Sequence, residues 1–176
     1  MLQQTPVIKF AFASLVAIGL SLATQQAKAA QISYSGSNCT PTNASVGFVD
    51  YNAYGVMSLG DPATFQSAQV SCPLPVPYTA GGVPGNLTSV TVAFFDRNDG
   101  FFQPNKDFSC TIYYQNSAGT PFTGATATKN WFSLPTPTTM TVTGHSNVVG
   151  ATMICDLPAP EGGNLSHLLN YLVTTS

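Results

Sequence analysis

The sequence predicts an all-β protein: a single antiparallel β-sandwich of about seven to ten strands carrying two disulfides. Three observations predict it. Apolar residues recur at every second position in successive short segments, the period of half-buried strands. Gly-, Pro- and Asn-rich turn signals separate those segments at short intervals. Four cysteines, Cys39, Cys72, Cys110 and Cys155, lie in a chain of which only 7% is charged. An even count of this kind reads as two bridges formed in an oxidising compartment.

The elements follow in order. Lys9, the apolar run Phe10 to Ala23 and Ala27-Lys28-Ala29 have the order of a signal peptide with an A-x-A cleavage site. Residues 1–29 are therefore expected to be removed, leaving one domain over 30–176. No later apolar run reaches the roughly 20 residues of a membrane span, so no stable membrane insertion is expected after cleavage. Gln31 to Ser35 is a short strand candidate, and Val46 to Met57 is another, broken near Asn52. Phe65 to Cys72 presents Ala68, Val70 and Cys72 on one face. In Thr88 to Asp96, Val90, Val92 and Phe94 alternate with small or polar residues, as Phe108, Cys110, Ile112 and Tyr114 do in Asp107 to Gln115. Lys129 to Leu134 is a further short candidate. Thr138 to Gly144 and Val148 to Asp156 read as two strands joined by a polar turn. The C-terminal run is ambiguous: Leu165, Leu168, Leu169 and Leu172 fit a helix face, whereas Leu169, Tyr171 and Val173 fit a strand. The strand agrees with the rest of the chain and with the β-prone Val173-Thr174-Thr175.

Three cysteine pairings exist. Cys110 shares a face with Phe108 and Ile112, and Cys155 with Met153, so both point to the core, where facing strands bring Cβ atoms within bridging distance. Cys39 lies in a polar stretch and Cys72 closes a strand. The simplest pairing is Cys39–Cys72 with Cys110–Cys155; the other two stay open.

Residues 30–176 hold three cations, Arg97, Lys106 and Lys129, against seven acids. That balance disfavours nucleic acid and anionic lipid as partners. The segments Gln69-Val70-Ser71-Cys72-Pro73, Val92-Ala93-Phe94-Phe95-Asp96-Arg97, Phe108-Ser109-Cys110-Thr111-Ile112-Tyr113-Tyr114, Met153-Ile154-Cys155-Asp156-Leu157-Pro158 and Leu168-Leu169-Asn170-Tyr171-Leu172-Val173 resemble, in their order, an uncharacterised family of small exported four-cysteine proteins of Gram-negative bacteria. The resemblance implies a β-sandwich and a secreted or periplasmic location. It carries no catalytic residues.

Catalytic and metal motifs are incomplete. Gly144-His145-Ser146-Asn147-Val148 departs from the G-x-S-x-G elbow at its last position and lacks the strand-to-helix setting that the elbow needs. Asp96, Asn98, Asp99 and Asp107 could gather oxygen atoms around calcium, but their register differs from an EF-hand loop. His145 and His167 are the only histidines, too few for a standard catalytic zinc site. No catalytic residue, metal or cofactor is expected. The doublets Phe94-Phe95, Tyr113-Tyr114 and Trp131-Phe132 each send one ring outward in a strand, making Phe95, Tyr113 and Trp131 candidates for a ligand-binding strip. The sequence thus favours an exported, non-catalytic structural or interaction module with an unknown protein or glycan partner. The first alternative is a polysaccharide-binding module that uses those aromatics, and the second is an extracellular hydrolase.

Overall fold

The computed structural model describes residues 29–59, 67–76, 85–95, 107–129, 137–159 and 165–176. The expected signal peptide falls almost wholly outside them, as do Trp131, most of the loop from Asp96 to Asp107 and residues 130–134. The described residues form ten strands: β1 (Ala30–Ser35), β2 (Thr40–Pro41), β3 (Val49–Asn52), β4 (Gly55–Ser58), β5 (Ala68–Leu74), β6 (Gly85–Phe95), β7 (Phe108–Asn116), β8 (Pro121–Lys129), β9 (Thr138–Leu157) and β10 (His167–Thr175). Single 3₁₀ turns, Gly36–Asn38 and Asn43–Ser45, flank β2. Every pairing is antiparallel. The C-terminal run is a strand, as its β-branched end predicts.

The twenty-residue β9 organises the molecule. Its first half pairs with β6 from Thr138 to Val148. Its second half lies between β5 and β7, with Cys155 opposite both Val70 and Cys110. One layer is therefore β9–β6–β10, extended by β1 and by the β3–β4 hairpin along the far edge of β10. The other is β2–β5–β9–β7–β8. Gly144 to Asn147 is consequently not a turn between two strands but the corner of a single strand that changes layers. Asn147 adopts φ 57°, a left-handed conformation that Asn tolerates better than most residues. A Cβ at Gly144 would collide with the carbonyl of Leu87 on β6, so the corner needs glycine there. The inward parity also changes across it, from Met140 and Val142 to Met153, Cys155 and Leu157.

Between the layers lies a core of the alternating residues read from the sequence, including Val90, Val92, Phe94, Phe108, Ile112 and Leu168. Phe94 and Phe108 stack across the gap with centroids 4.2 Å apart. Full burial of each such ring stabilises by about 1.5–3 kcal/mol. Two buried tyrosines also bridge the layers by hydrogen bonds: Tyr171 on β10 donates to the Pro73 carbonyl at 3.0 Å, and Tyr114 on β7 to the Thr143 carbonyl at 3.1 Å.

Both disulfides have the simplest pairing, Cys39–Cys72 and Cys110–Cys155. The second joins adjacent strands at one register position, not facing strands as parity alone suggested. Two further differences concern strand limits. β5 runs through Pro73, beyond the two positions covered by β2, where the missing N–H breaks no ladder bond. β8 was not expected, because its apolar face consists of Phe122, Ala125 and Ala127 set among threonines. Its link to β7 is the turn the sequence does signal: Asn116 Oδ1 accepts from the N–H groups of Ala118 and Thr120, and Gly119 adopts φ 76°.

Candidate functional site

The outward face of the β5–β9–β7–β8 layer can be written from its register, because residues opposite one another share a face. Gln69, Asp156, Ser109 and Thr128 form one row, and Ser71, Ile154, Thr111 and Thr126 the next. Pro73, Thr152, Tyr113 and Thr123 form the third, and Gly150, Gln115 and Pro121 the last. The single carboxylate, Asp156, accepts from Gln69 Nε2 at 3.0 Å and lies 3.4 Å from the Ser109 hydroxyl. The Thr111 and Thr126 hydroxyls are 2.8 Å apart. The face is polar, almost uncharged and rich in hydroxyl groups.

Tyr113 is the aromatic side chain of these rows and is 41% exposed. It borders a shallow depression of about 340 Å³ lined also by Gln115, Pro121, Gly150 and Thr152. Glycine at 150 leaves the end of the depression low beside the Gln115 side chain. The neighbouring Tyr114 points the other way and is 2% exposed. Burial pushes its phenol above the ordinary tyrosine range. Its ring lies over Gly124 of β8, where a Cβ would strike it, and packs with Phe122 and His145 at 5.3 and 5.5 Å. Tyr113 therefore stands on a backbone fixed from beneath.

The three candidate aromatics do not form one strip. Phe95 is half-buried on β6, opposite His167 of β10, whose ring meets it edge-on at 6.2 Å. That is the outer side of the other layer: parity sent both rings outward, but to opposite faces of the sandwich. Trp131 lies outside the described residues.

The remaining motifs receive a geometric answer. His145 Nδ1 lies 2.7 Å from the backbone oxygen of Ser146, which can only accept, so that nitrogen is committed as a donor and is not a base on the Ser146 hydroxyl. Phe122 packs edge-on against the same imidazole at 5.1 Å. Among the described residues no group of three His, Cys, Asp or Glu side chains could hold a metal ion. Asp96, Asn98 and Asp99 of the incomplete calcium-loop motif fall outside them. No helix among the described residues is long and apolar enough to cross a membrane.

Sequence reasoning missed a second depression, on the opposite layer. It measures about 460 Å³ and is lined by Ser33, Tyr34, Ser35, Ala53, Tyr54, Leu169 and Asn170. Tyr54, 74% exposed, sits in a hairpin turn, where strand alternation gives no signal.

No family model and no curated protein matches the chain. Solved structures do. A xylan-binding module, CBM15, is similar over 84% of this chain and 97% of its own, with 12% identity and a TM-score of 0.50. The CBM36-1 domain of a multidomain xylanase from the hindgut metagenome of Trinervitermes trinervoides covers 82% and 96%, at 11% identity and TM-score 0.48. CBM86, a low affinity xylan binding module from Roseburia intestinalis, covers 84% and 96%, at 16% identity and TM-score 0.43. At such identity the first likeness establishes the sandwich fold and transfers no residue roles.

Proposed function

We propose that this chain is an exported, non-catalytic module that binds a neutral polysaccharide through the outer face of the β5–β9–β7–β8 layer. The observation that carries the proposal is Tyr113: an exposed ring on a disulfide-fastened sheet, beside a shallow depression and surrounded by side chains that donate and accept hydrogen bonds without charge. A flat ring offers the apolar face of a sugar a stacking surface, and Gln115, Thr152 and Thr123 supply partners for its hydroxyls. The acidic chain, with a formal charge of −2, suits a neutral ligand better than an anionic one. The two disulfides agree with an oxidising compartment outside the cytoplasm, and with membership of the exported four-cysteine group that the sequence resembles. This reading replaces the purely structural module as the favoured function, because it gives the half-exposed ring beside the depression and the uncharged hydroxyl groups around it one common use.

The test is retention in native gels cast with soluble xylan, β-glucan, glucomannan or starch, xylan first because of the fold likeness. The chain is expected to be retarded by at least one of them and Tyr113→Ala to be retarded less. Equal retardation of both proteins would remove Tyr113 from the function, and mobility unchanged by every polymer would remove the function itself.

A further inference from the structure

The second depression lies on the outer side of the other layer, between β1, β10 and the tip of the β3–β4 hairpin. Tyr54 at that tip is the most exposed of the large apolar side chains among the described residues, at 74%, and yet its backbone is held. Its N–H donates to Asn52 Oδ1 at 2.8 Å. The next residue, Gly55, has φ +143° and presses against the Leu168 carbonyl, where a Cβ would collide. The strand leading into the turn is tied as well: the Tyr51 hydroxyl donates to the carbonyl of Cys39, a disulfide residue, at 2.9 Å. An exposed ring on a fixed backbone loses little conformational freedom on meeting a ligand.

The lining of this depression repeats the chemistry of the Tyr113 face. Ser33, Ser35 and Asn170 provide hydroxyl and amide groups beside the ring, and among the described residues no carboxylate or ammonium group lines it. Register sets Ser35 opposite Asn170, and Tyr34 opposite Tyr171 with their rings stacked at 5.3 Å. Tyr34 thus faces the core, and its serine neighbours face outward. We infer that the Tyr54 depression is a second binding site for a neutral polysaccharide, so that one molecule of this chain holds two glycan chains on opposite faces. The inference rests on the reading of the Tyr113 face as a glycan site and extends it from one-point binding to cross-linking. Because the sites lie on opposite layers, each engages its own strand, and two such contacts connect polymer chains that neither would connect alone.

The experiment uses the polymer that retards the protein and its hexasaccharide. Calorimetry with the hexasaccharide should give two sites per wild-type chain, one in Tyr54→Ala and one in Tyr113→Ala, and none in the double variant. Turbidity on mixing with soluble polymer should rise with wild type and with Tyr54→Phe, and stay at baseline with either alanine variant. Thermal unfolding midpoints close to wild type in all four variants make these losses local. One site in wild type, lost in Tyr113→Ala and kept in Tyr54→Ala, would overturn the second site and leave the proposed function standing. One site lost only in Tyr54→Ala would overturn bivalence together with the role of Tyr113. No binding to any tested polymer would overturn both readings.

Discussion

Both disulfides fasten strands of one layer: Cys39–Cys72 ties the segment before β2 to β5, and Cys110–Cys155 ties β7 to β9. Among the described residues, β6 and β10 of the opposite layer have no such link. They are held by their ladders and by the burial of Val90, Val92, Phe94, Leu168, Tyr171 and Val173. The difference has a physical consequence. A cross-linked layer owes part of its stability to constraint on the unfolded chain. The uncross-linked layer depends on its contact with the first.

The largest effect is expected at the ring stack. Phe94→Ala removes the partner of Phe108 from the centre of the core and should cost about 3–5 kcal/mol, read from the denaturant midpoint with both disulfides intact. A loss under about 1 kcal/mol would mean that the layers hold together elsewhere.

Next comes the bridge at the register pair. Replacing Cys110 and Cys155 together by alanine should cost about 2–5 kcal/mol, and the same change at Cys39 and Cys72 a few tenths less. The closed segments differ only modestly, with sequence separations of 45 and 33. All four cysteines are buried, so a reductant should act only as fast as the sandwich opens. Rapid reduction of Cys110–Cys155 in the native protein would contradict that burial.

A smaller effect tests the polar ties between layers. Tyr171→Phe leaves the Pro73 carbonyl without its donor and should cost about 1–3 kcal/mol. Burial, and secondarily repulsion from Tyr34, pushes the Tyr171 phenol up to about 12 from its ordinary 10. A group whose folded value is raised stabilises fully below the unfolded value and loses that contribution as pH climbs to the folded one. Stability should therefore fall between pH 10 and about 12, and less steeply in Tyr171→Phe. Equal slopes for the two proteins would remove Tyr171 as the cause.

The two layers also differ in how much of them the sequence disclosed. β6, β7 and both halves of β9 were legible because large apolar residues alternate there and one face is buried, whereas the leucines of β10 also fit a helix face and its β-branched end decided for a strand. β8 was not, because Ala125 and Ala127 are too small to mark a face. The corner of β9 was misread because glycine and asparagine signal a turn and a bulge alike. Alternation showed that Phe95 and Tyr113 point outward but could not say from which layer, since that depends on β9 exchanging β6 for β5 and β7 along its length. Tyr54 was invisible for a different reason: the placement of a hairpin tip against β10 is a tertiary fact with no period to announce it.

The smallest effect on stability is expected at Tyr113, and its contrast with the adjacent Tyr114 tests the division between supporting core and binding face. The two residues are consecutive on β7, yet one ring is 41% exposed and the other 2%. Tyr114→Phe keeps the packing on Phe122 and His145 but loses the hydroxyl bond to Thr143. It should cost about 1 kcal/mol in unfolding and leave retention on a glycan gel unchanged. Tyr113→Ala removes a half-exposed ring from the outer face and should cost less than about 1 kcal/mol. Its binding should nevertheless fall by up to about tenfold, the worth of one aromatic stacking contact. Tyr113→Phe, which keeps the ring and drops the hydroxyl, should restore most of that loss. If the pattern is inverted, with Tyr113→Ala destabilising the sandwich and Tyr114→Phe weakening retention, then the outer face is the structural one and the ligand site lies along the Tyr114–Phe122–His145 cluster at the open edge between β8 and β9.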